Sequence, residues 1–141
     1  MKVFLDTSVL IAAVRTADQR YAASNELVRA CDPGNAACAA HTLAEAYASL
    51  TGMRPPNRFR PAQAMQLLDE FRKKFHCVEL TVDEVVKTAR GIAELGLAGG
   101  IIYDALLMSC ARKVNAERIY TWNVRHFQMV APDLAEKIVA P

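Results

Sequence analysis

Short runs of apolar residues alternate with longer segments of helical periodicity along the chain, and this alternation limits the fold more than any other feature. The runs at 3–5, 36–40, 77–80 and 118–120 predict strands, of which the first two read as buried on both faces. Parallel strands require long crossovers, usually helices, and the segments between the runs are long enough to supply them. The pattern therefore predicts a three-layer α/β/α sandwich with a central, mostly parallel sheet.

Periodicity and end signals place the helices. One helical face is formed by Met65, Leu68, Phe71 and Phe75, which recur at steps of three, three and four. A capping box at 81–84 predicts the start of another helix. Its apolar stripe, predicted to face inward, consists of Val82, Val85, Val86, Ala89 and Ile92. The remaining predicted helices cover about 8–14, 18–31, 43–50, 101–114, 124–129 and 132–137.

Length and composition indicate a single globular domain over 1–141. Hydrophobic residues make up 52% and charged residues 23%, which excludes a disordered chain. The net charge of +2 permits a polyanionic partner without requiring one. The four cysteines form no C-x-x-C pair, which argues against a zinc site or a disulfide framework. No apolar run is long enough to span a bilayer, so we expect a cytoplasmic protein without a membrane partner.

Four polar residues lie where a parallel sheet places functional groups, beyond the carboxyl ends of its strands. Asp6 follows the first predicted strand, Glu45 follows the second, Asp104 begins a long apolar helix and Asn123 follows the fourth strand. Each also has a structural interpretation: Asp6 and Asn123 as helix N-caps, Glu45 as part of a capping box from Thr42, and Asp104 as a complement to a helix dipole. Caps are commoner than ligands, so no single residue decides the question.

Asp104 carries the strongest signal of the four. It is the only charged residue between Gly100 and Arg112, in a helix that is apolar almost all round. A carboxylate in such surroundings must be neutralised, paired or bound to a cation. No basic residue lies within a turn or two of it in sequence, so we expect its partner to come from elsewhere in the fold. A metal ion shared with Asp6 meets this requirement.

Clustered carboxylates predict a hard divalent cation. Two carboxylates about 5 Å apart repel by roughly 3 kcal/mol at an effective dielectric constant of 20, and a shared proton or cation removes this penalty. Helix N-termini favour the ionised forms, which makes the cation the better neutraliser. Oxygen ligands without nearby thiolate or imidazole select Mg²⁺ or Mn²⁺ rather than zinc.

Taken together and in order, the motifs resemble those of the PIN-domain family, and among its members the VapC-type toxins of bacterial toxin–antitoxin pairs. The resemblance covers essentially the whole chain. It is carried by strand-Asp6-Thr7-Ser8, Leu43-Ala44-Glu45, Tyr103-Asp104-Ala105-Leu106, and Tyr120-Thr121-Trp122-Asn123 followed by Phe127.

This resemblance implies an Mg²⁺-dependent endoribonuclease that forms a homodimer and is inhibited by a cognate antitoxin. It makes Asp6 and Asp104 the metal ligands, with Mn²⁺ as a substitute metal, and Glu45 the third acid that orients an attacking water. The fourth acidic position of the family corresponds to Asn123, a departure that puts a second metal ion in doubt. Thr121 is expected to orient a ligand or water. None of the three histidines is expected to form a pair suited to acid–base catalysis.

Four arginines are predicted to contact RNA. Arg54, Arg58 and Arg60 surround Phe59 in a proline-rich loop, a mixture suited to phosphate contact and base stacking, although an ordinary solvated loop has the same composition. Arg125 follows Asn123 closely enough to reach a phosphate near the metal. The alternative to a nuclease is a catalytically silent PIN-like module that binds RNA or a protein, and the departure at Asn123 favours it.

Overall fold

The computed structural model describes all residues, 1–141, and its centre is a five-stranded parallel sheet. The strands lie in the order β3-β2-β1-β4-β5, and every neighbouring pair is parallel. The strands are β1 (Val3–Leu5), β2 (Ala36–Ala39), β3 (His76–Val78), β4 (Arg118–Tyr120) and β5 (Ile138–Val139). The predicted parallel α/β architecture is confirmed.

Seven α-helices and one 3₁₀-helix connect the strands. They are α1 (Thr7–Ala12), α2 (Tyr21–Arg29), α3 (Ala40–Gly52), α4 (Pro61–Lys74), α5 (Val82–Glu94), α6 (Ile101–Lys113), α7 (Val124–Val130) and the 3₁₀-helix Pro132–Lys137. No helix is both long enough and apolar enough to cross a membrane.

The core is divided by the sheet into two apolar clusters, because successive residues of a strand point to opposite faces. Phe4 packs with residues of α6 and α7 on one face, including Leu107 and Phe127. The next residue, Leu5, packs with residues of α1 and α4 on the other face, including Leu10 and Phe71. Both strand residues are completely buried, as expected for a strand covered on two sides.

Two predictions about the helices are wrong. The valines of α5 were predicted to face inward, but Val82, Val85 and Val86 are exposed and only Ile92 of that stripe is buried. Periodicity identifies an apolar stripe without showing what covers it. The helix predicted from Leu43 begins at Ala40 instead, which extends it toward the end of β2.

The two-residue strand β5 was not predicted. It pairs with β4 and forms one edge of the sheet. Two residues are too few to show a period, so alternation does not mark them. The capping box that begins α5 is confirmed: Glu84 N–H donates to Thr81 Oγ1 at 3.2 Å, and Thr81 N–H donates to Glu84 Oε2 at 2.7 Å.

Candidate active site

The candidate site lies where the strand order reverses, at the carboxyl ends of β1 and β4. The chain leaves β1 toward β2 on one side, and β4 pairs with β1 on the other side. Such reversals open a crevice beyond the strand ends. Asp6 directly follows β1, its N–H donates to Tyr120 O at 3.0 Å, and Thr121 directly follows β4. The sheet register therefore brings residues 6 and 121 side by side.

Asp6 is buried, with 3% of its surface exposed. Its Oδ2 accepts hydrogen bonds from Ser8 Oγ at 2.6 Å and from Thr121 Oγ1 at 2.8 Å. Burial raises the pKa of this carboxyl, and the two hydroxyl donors lower it without cancelling the effect. Asp6 occupies the N-cap position of α1, as its structural interpretation has it, but its side chain makes no capping hydrogen bond.

Glu45 lies inside α3, half-buried, one turn after His41. Burial raises the pKa of Glu45 and is the largest cause; the charge of His41 lowers it. The negative charges of Asp6 and Asp104 raise the pKa further, so the three carboxyl groups are close enough to repel. The capping-box interpretation is wrong, because α3 begins at Ala40 and Thr42 is buried within the helix.

Asp104 lies in the first turn of α6 and is only partly buried. Its Oδ2 lies 2.5 Å from Nε2 of His126, which is carried by α7. The expectation that its partner comes from elsewhere in the fold is confirmed, but the observed partner is an imidazole. Sequence analysis did not anticipate this contact between a histidine and an acidic residue. A second pair, His41 with Glu45, places Nε2 3.0 Å from Oε1.

Asn123 precedes α7 and is exposed. Its side chain makes no capping hydrogen bond, so the interpretation as an N-cap through the side chain is wrong. Its backbone N–H donates to Thr121 Oγ1 at 3.0 Å. The Thr121 hydroxyl thus links the end of β4 to Asp6, consistent with the expected orienting role.

Residues 3–131 match the family model described as PIN domain, which is most of the chain. The chain belongs to the PIN-domain family. No curated protein sequence matches it at a significant level.

Solved structures of VapC-type proteins share the fold of this PIN domain. The VapBC-1 structure from nontypeable Haemophilus influenzae superposes with a TM-score of 0.65 at 21% identity and covers 99% of this chain and 98% of the other. VapBC2 of Rickettsia felis, solved with a promoter DNA fragment, gives 0.61 at 21% identity, with 91% and 92% covered. VapC20 of Mycobacterium tuberculosis, a sarcin–ricin loop cleaving toxin, gives 0.68 at 20% identity, with 86% and 90% covered.

The carboxylates of this PIN domain suit a hard cation. The expectation that no imidazole lies near them is wrong, because His41 and His126 contact Glu45 and Asp104. Oε1 of Glu45 is buried, and Nε2 of His41 lies 3.0 Å from it. No lysine or arginine forms an ion pair with Asp6, Glu45 or Asp104. No three acidic, histidine or cysteine side chains are arranged to hold one ion together. Mg²⁺ needs only one or two carboxylates and keeps several waters, so the residues fit such an ion.

The arginines predicted to contact RNA occupy two places. Arg54, Arg58 and Arg60 lie beyond the end of α3, and Gly52 at that end is seven residues after Glu45, about 10 Å along the helix axis. Arg58 Nε donates to Met53 O within the same loop. Arg125 lies on α7 next to His126 and is exposed. None of the four arginines forms an ion pair with a carboxylate, so their charges face solvent.

Sequence reasoning missed three residues of the site. Ser8 donates to Asp6, and its oxygen accepts from Trp122 N–H at 3.0 Å. The spacing of four between His41 and Glu45 was a usable signal, because such residues share one face of a helix. The contact of His126 with Asp104 joins two helices, and no local pattern indicates it.

Proposed function

We propose that this chain is a metal-dependent endoribonuclease that hydrolyses RNA phosphodiester bonds. One observation carries the proposal: Asp6, Glu45 and Asp104 come from three separate elements yet lie close enough for the first and last to raise the pKa of Glu45. Clustered carboxylates cost stability unless a proton or cation is shared. The basic partners of the cluster are the imidazoles of His41 and His126, and Asp6 has none, so a bound cation explains the cluster better than folding does.

Asp6 and Asp104 are the residues that would hold Mg²⁺, with Mn²⁺ as a substitute. When bound, such an ion polarises the scissile phosphate and lowers the pKa of an attacking water. Thr121 and Ser8 fix the Asp6 carboxylate through their hydroxyl donors. This fixed orientation reduces the reorganisation needed when substrate arrives.

Glu45 would orient the attacking water. Its Oε1 is buried beside His41 Nε2, so its other carboxylate oxygen would accept the water proton. Its raised pKa makes it a stronger base than an ordinary glutamate. In-line displacement would leave a 5′-phosphate and a 3′-hydroxyl. Asn123, at the fourth acidic position of the family, brings no charge, which supports a single tightly held ion rather than two.

RNA cleavage by purified protein tests this proposal. Wild-type protein should cleave RNA with Mg²⁺ and lose activity in excess EDTA. Asp6→Ala and Asp104→Ala should abolish cleavage while the circular dichroism spectrum stays native. Asp69→Ala, at an exposed acidic position on α4, is the matched control and should remain active. Full activity in either site variant would rule out the assignment.

We further propose that the chain is the VapC-type toxin of a toxin–antitoxin pair and acts as a homodimer in the cytoplasm. Support comes from the fold shared with VapBC and VapC20 structures over nearly the whole chain. Expression of the chain should arrest growth. Coexpression of the cognate antitoxin, which we expect a small neighbouring gene to encode, should relieve the arrest. Light scattering on the purified protein should give twice the chain mass of 15.5 kDa.

The alternative function is a catalytically silent PIN domain that binds RNA or a protein. The uncharged side chain of Asn123 is the observation that favours it. The cleavage assay separates the two, because a silent module binds RNA but leaves it intact with Mg²⁺ or Mn²⁺.

A further inference from the structure

A parallel pair of rings borders the carboxylates. The rings of Tyr103 and His41 lie 5.5 Å apart between centroids, with an interplanar angle of 4°. Tyr103 directly precedes Asp104 in α6, and His41 Nε2 lies 3.0 Å from Glu45 Oε1. The His41 ring contacts Glu45, and the Tyr103 ring, which stacks on it, neighbours Asp104 in sequence. The two rings therefore lie at the rim of the site.

Tyr103 is exposed although the helix around it is largely buried. Its exposed fraction is 54%, whereas Ala105 and Leu107 of the same helix lie in the core. A single exposed apolar residue is ordinary on a protein surface. An exposed ring that is already stacked on a second ring is held in one orientation, and this makes it a prepared surface for a flat ligand.

We propose that Tyr103 and His41 form a stacking platform for an unpaired nucleobase next to the scissile phosphate. The proposal rests on the proposed nuclease function, which brings a phosphate to Asp104 and the bases of its two nucleotides beside it. Unpaired bases stack on tyrosine and histidine rings. Stacking uses the π-face that every base has, so the platform selects single-stranded RNA rather than one base.

RNA binding without cleavage tests the platform. The affinity of a short fluorescein-labelled single-stranded RNA is measured by anisotropy in EDTA, where no hydrolysis occurs. Tyr103→Phe keeps the ring and should bind within about twofold of wild type. Tyr103→Leu should bind about five- to 150-fold more weakly, the range expected for one lost base stack. Val86→Ala, at an exposed apolar position on α5, is the control and should bind like wild type.

An abasic scan of the RNA gives a second readout that a structural role of Tyr103 would not move. With wild-type protein, removing the base at one position should weaken binding by the same factor as Tyr103→Leu. With Tyr103→Leu, the same abasic site should have no further effect. Equal affinities for the Phe and Leu variants, or an abasic effect that persists in Tyr103→Leu, would overturn the platform. The platform would also be overturned if Tyr103→Leu weakened antitoxin binding but left RNA binding unchanged.

The two proposals fail in different ways. If wild-type protein shows the Tyr103-dependent binding but never cleaves with Mg²⁺, the nuclease function fails and the platform stands. If it cleaves RNA but Tyr103→Leu binds and cleaves like wild type, the platform fails and the nuclease function stands.

Discussion

Replacement of Thr121 by valine measures how much the hydroxyl that donates to Asp6 contributes to stability. Thr121 is completely buried, donates to Asp6 Oδ2 at 2.8 Å and accepts from Asn123 N–H at 3.0 Å. Valine keeps the branched shape but removes both interactions. Thr121→Ser is the matched control, since it keeps the hydroxyl and loses only a methyl group.

The two variants should differ in stability. A hydrogen bond to a charged group contributes about 1.5–3 kcal/mol, so Thr121→Val should lower Tm by roughly 5–10 °C. Loss of one buried methyl group costs about 1 kcal/mol, so Thr121→Ser should lower Tm by roughly 3 °C. The Asn123 N–H also loses its acceptor, but Asn123 is exposed, so we expect water to replace that hydrogen bond and the loss to stay near that of one bond.

The loss of stability caused by Thr121→Val, relative to wild type, should also depend on pH. The Thr121 hydroxyl lowers the pKa of Asp6, so its removal raises a pKa that burial has already raised. A carboxyl with a raised folded pKa loses stability as pH rises from its ordinary value of 3.8 through the folded value. The stability difference between wild type and Thr121→Val should therefore be small below the folded pKa of wild-type Asp6. It should grow as pH rises from that value and reach its full size above the higher folded pKa of the variant.

Urea denaturation of wild type, Thr121→Val and Thr121→Ser across this pH range measures these differences. Equal deficits for the two variants at every pH would refute the idea that the hydroxyl stabilises an ionised, buried Asp6.

Further predictions concern Glu45, a helix cap and RNA affinity. Because the folded pKa of Glu45 is raised, the unfolding free energy of metal-free wild type should fall relative to Glu45→Gln as pH rises above the ordinary value of 4.5; urea titrations at several pH values check this. Thr81→Ala removes the capping hydroxyl of α5 and should cost about 1 kcal/mol in the same assay without changing cleavage. Arg125→Ala should weaken RNA binding and reduce the slope of log affinity against log salt by about 1, measured by anisotropy at several salt concentrations.

Much of the fold could be predicted because its strands and helices carry local signals. The strands β1 and β4 were predicted at their observed bounds, since each is a short segment rich in residues that favour strands. The start of α3 was misplaced because Ala39 at its N-cap offers no capping side chain, whereas Thr42 resembles a cap. Element boundaries that depend on tertiary packing leave no mark on the local sequence.

The site was predicted in part for the same reason. A parallel sheet collects the residues after its strands at one edge, which brings Asp6 and Thr121 together without any knowledge of side-chain packing. The contact between His126 and Asp104 depends on how α7 packs against α6. Such a contact between helices has no signature in sequence spacing.

Binding of Mn²⁺ to the metal-free protein, measured by isothermal titration calorimetry, tests the central claim most directly. If Asp6 and Asp104 jointly hold the ion, wild type and Asp69→Asn should bind one equivalent, whereas Asp6→Asn and Asp104→Asn should bind none at the same concentrations. Undiminished binding in either of those two variants would contradict the proposed metal site, whatever the outcome of the cleavage assays.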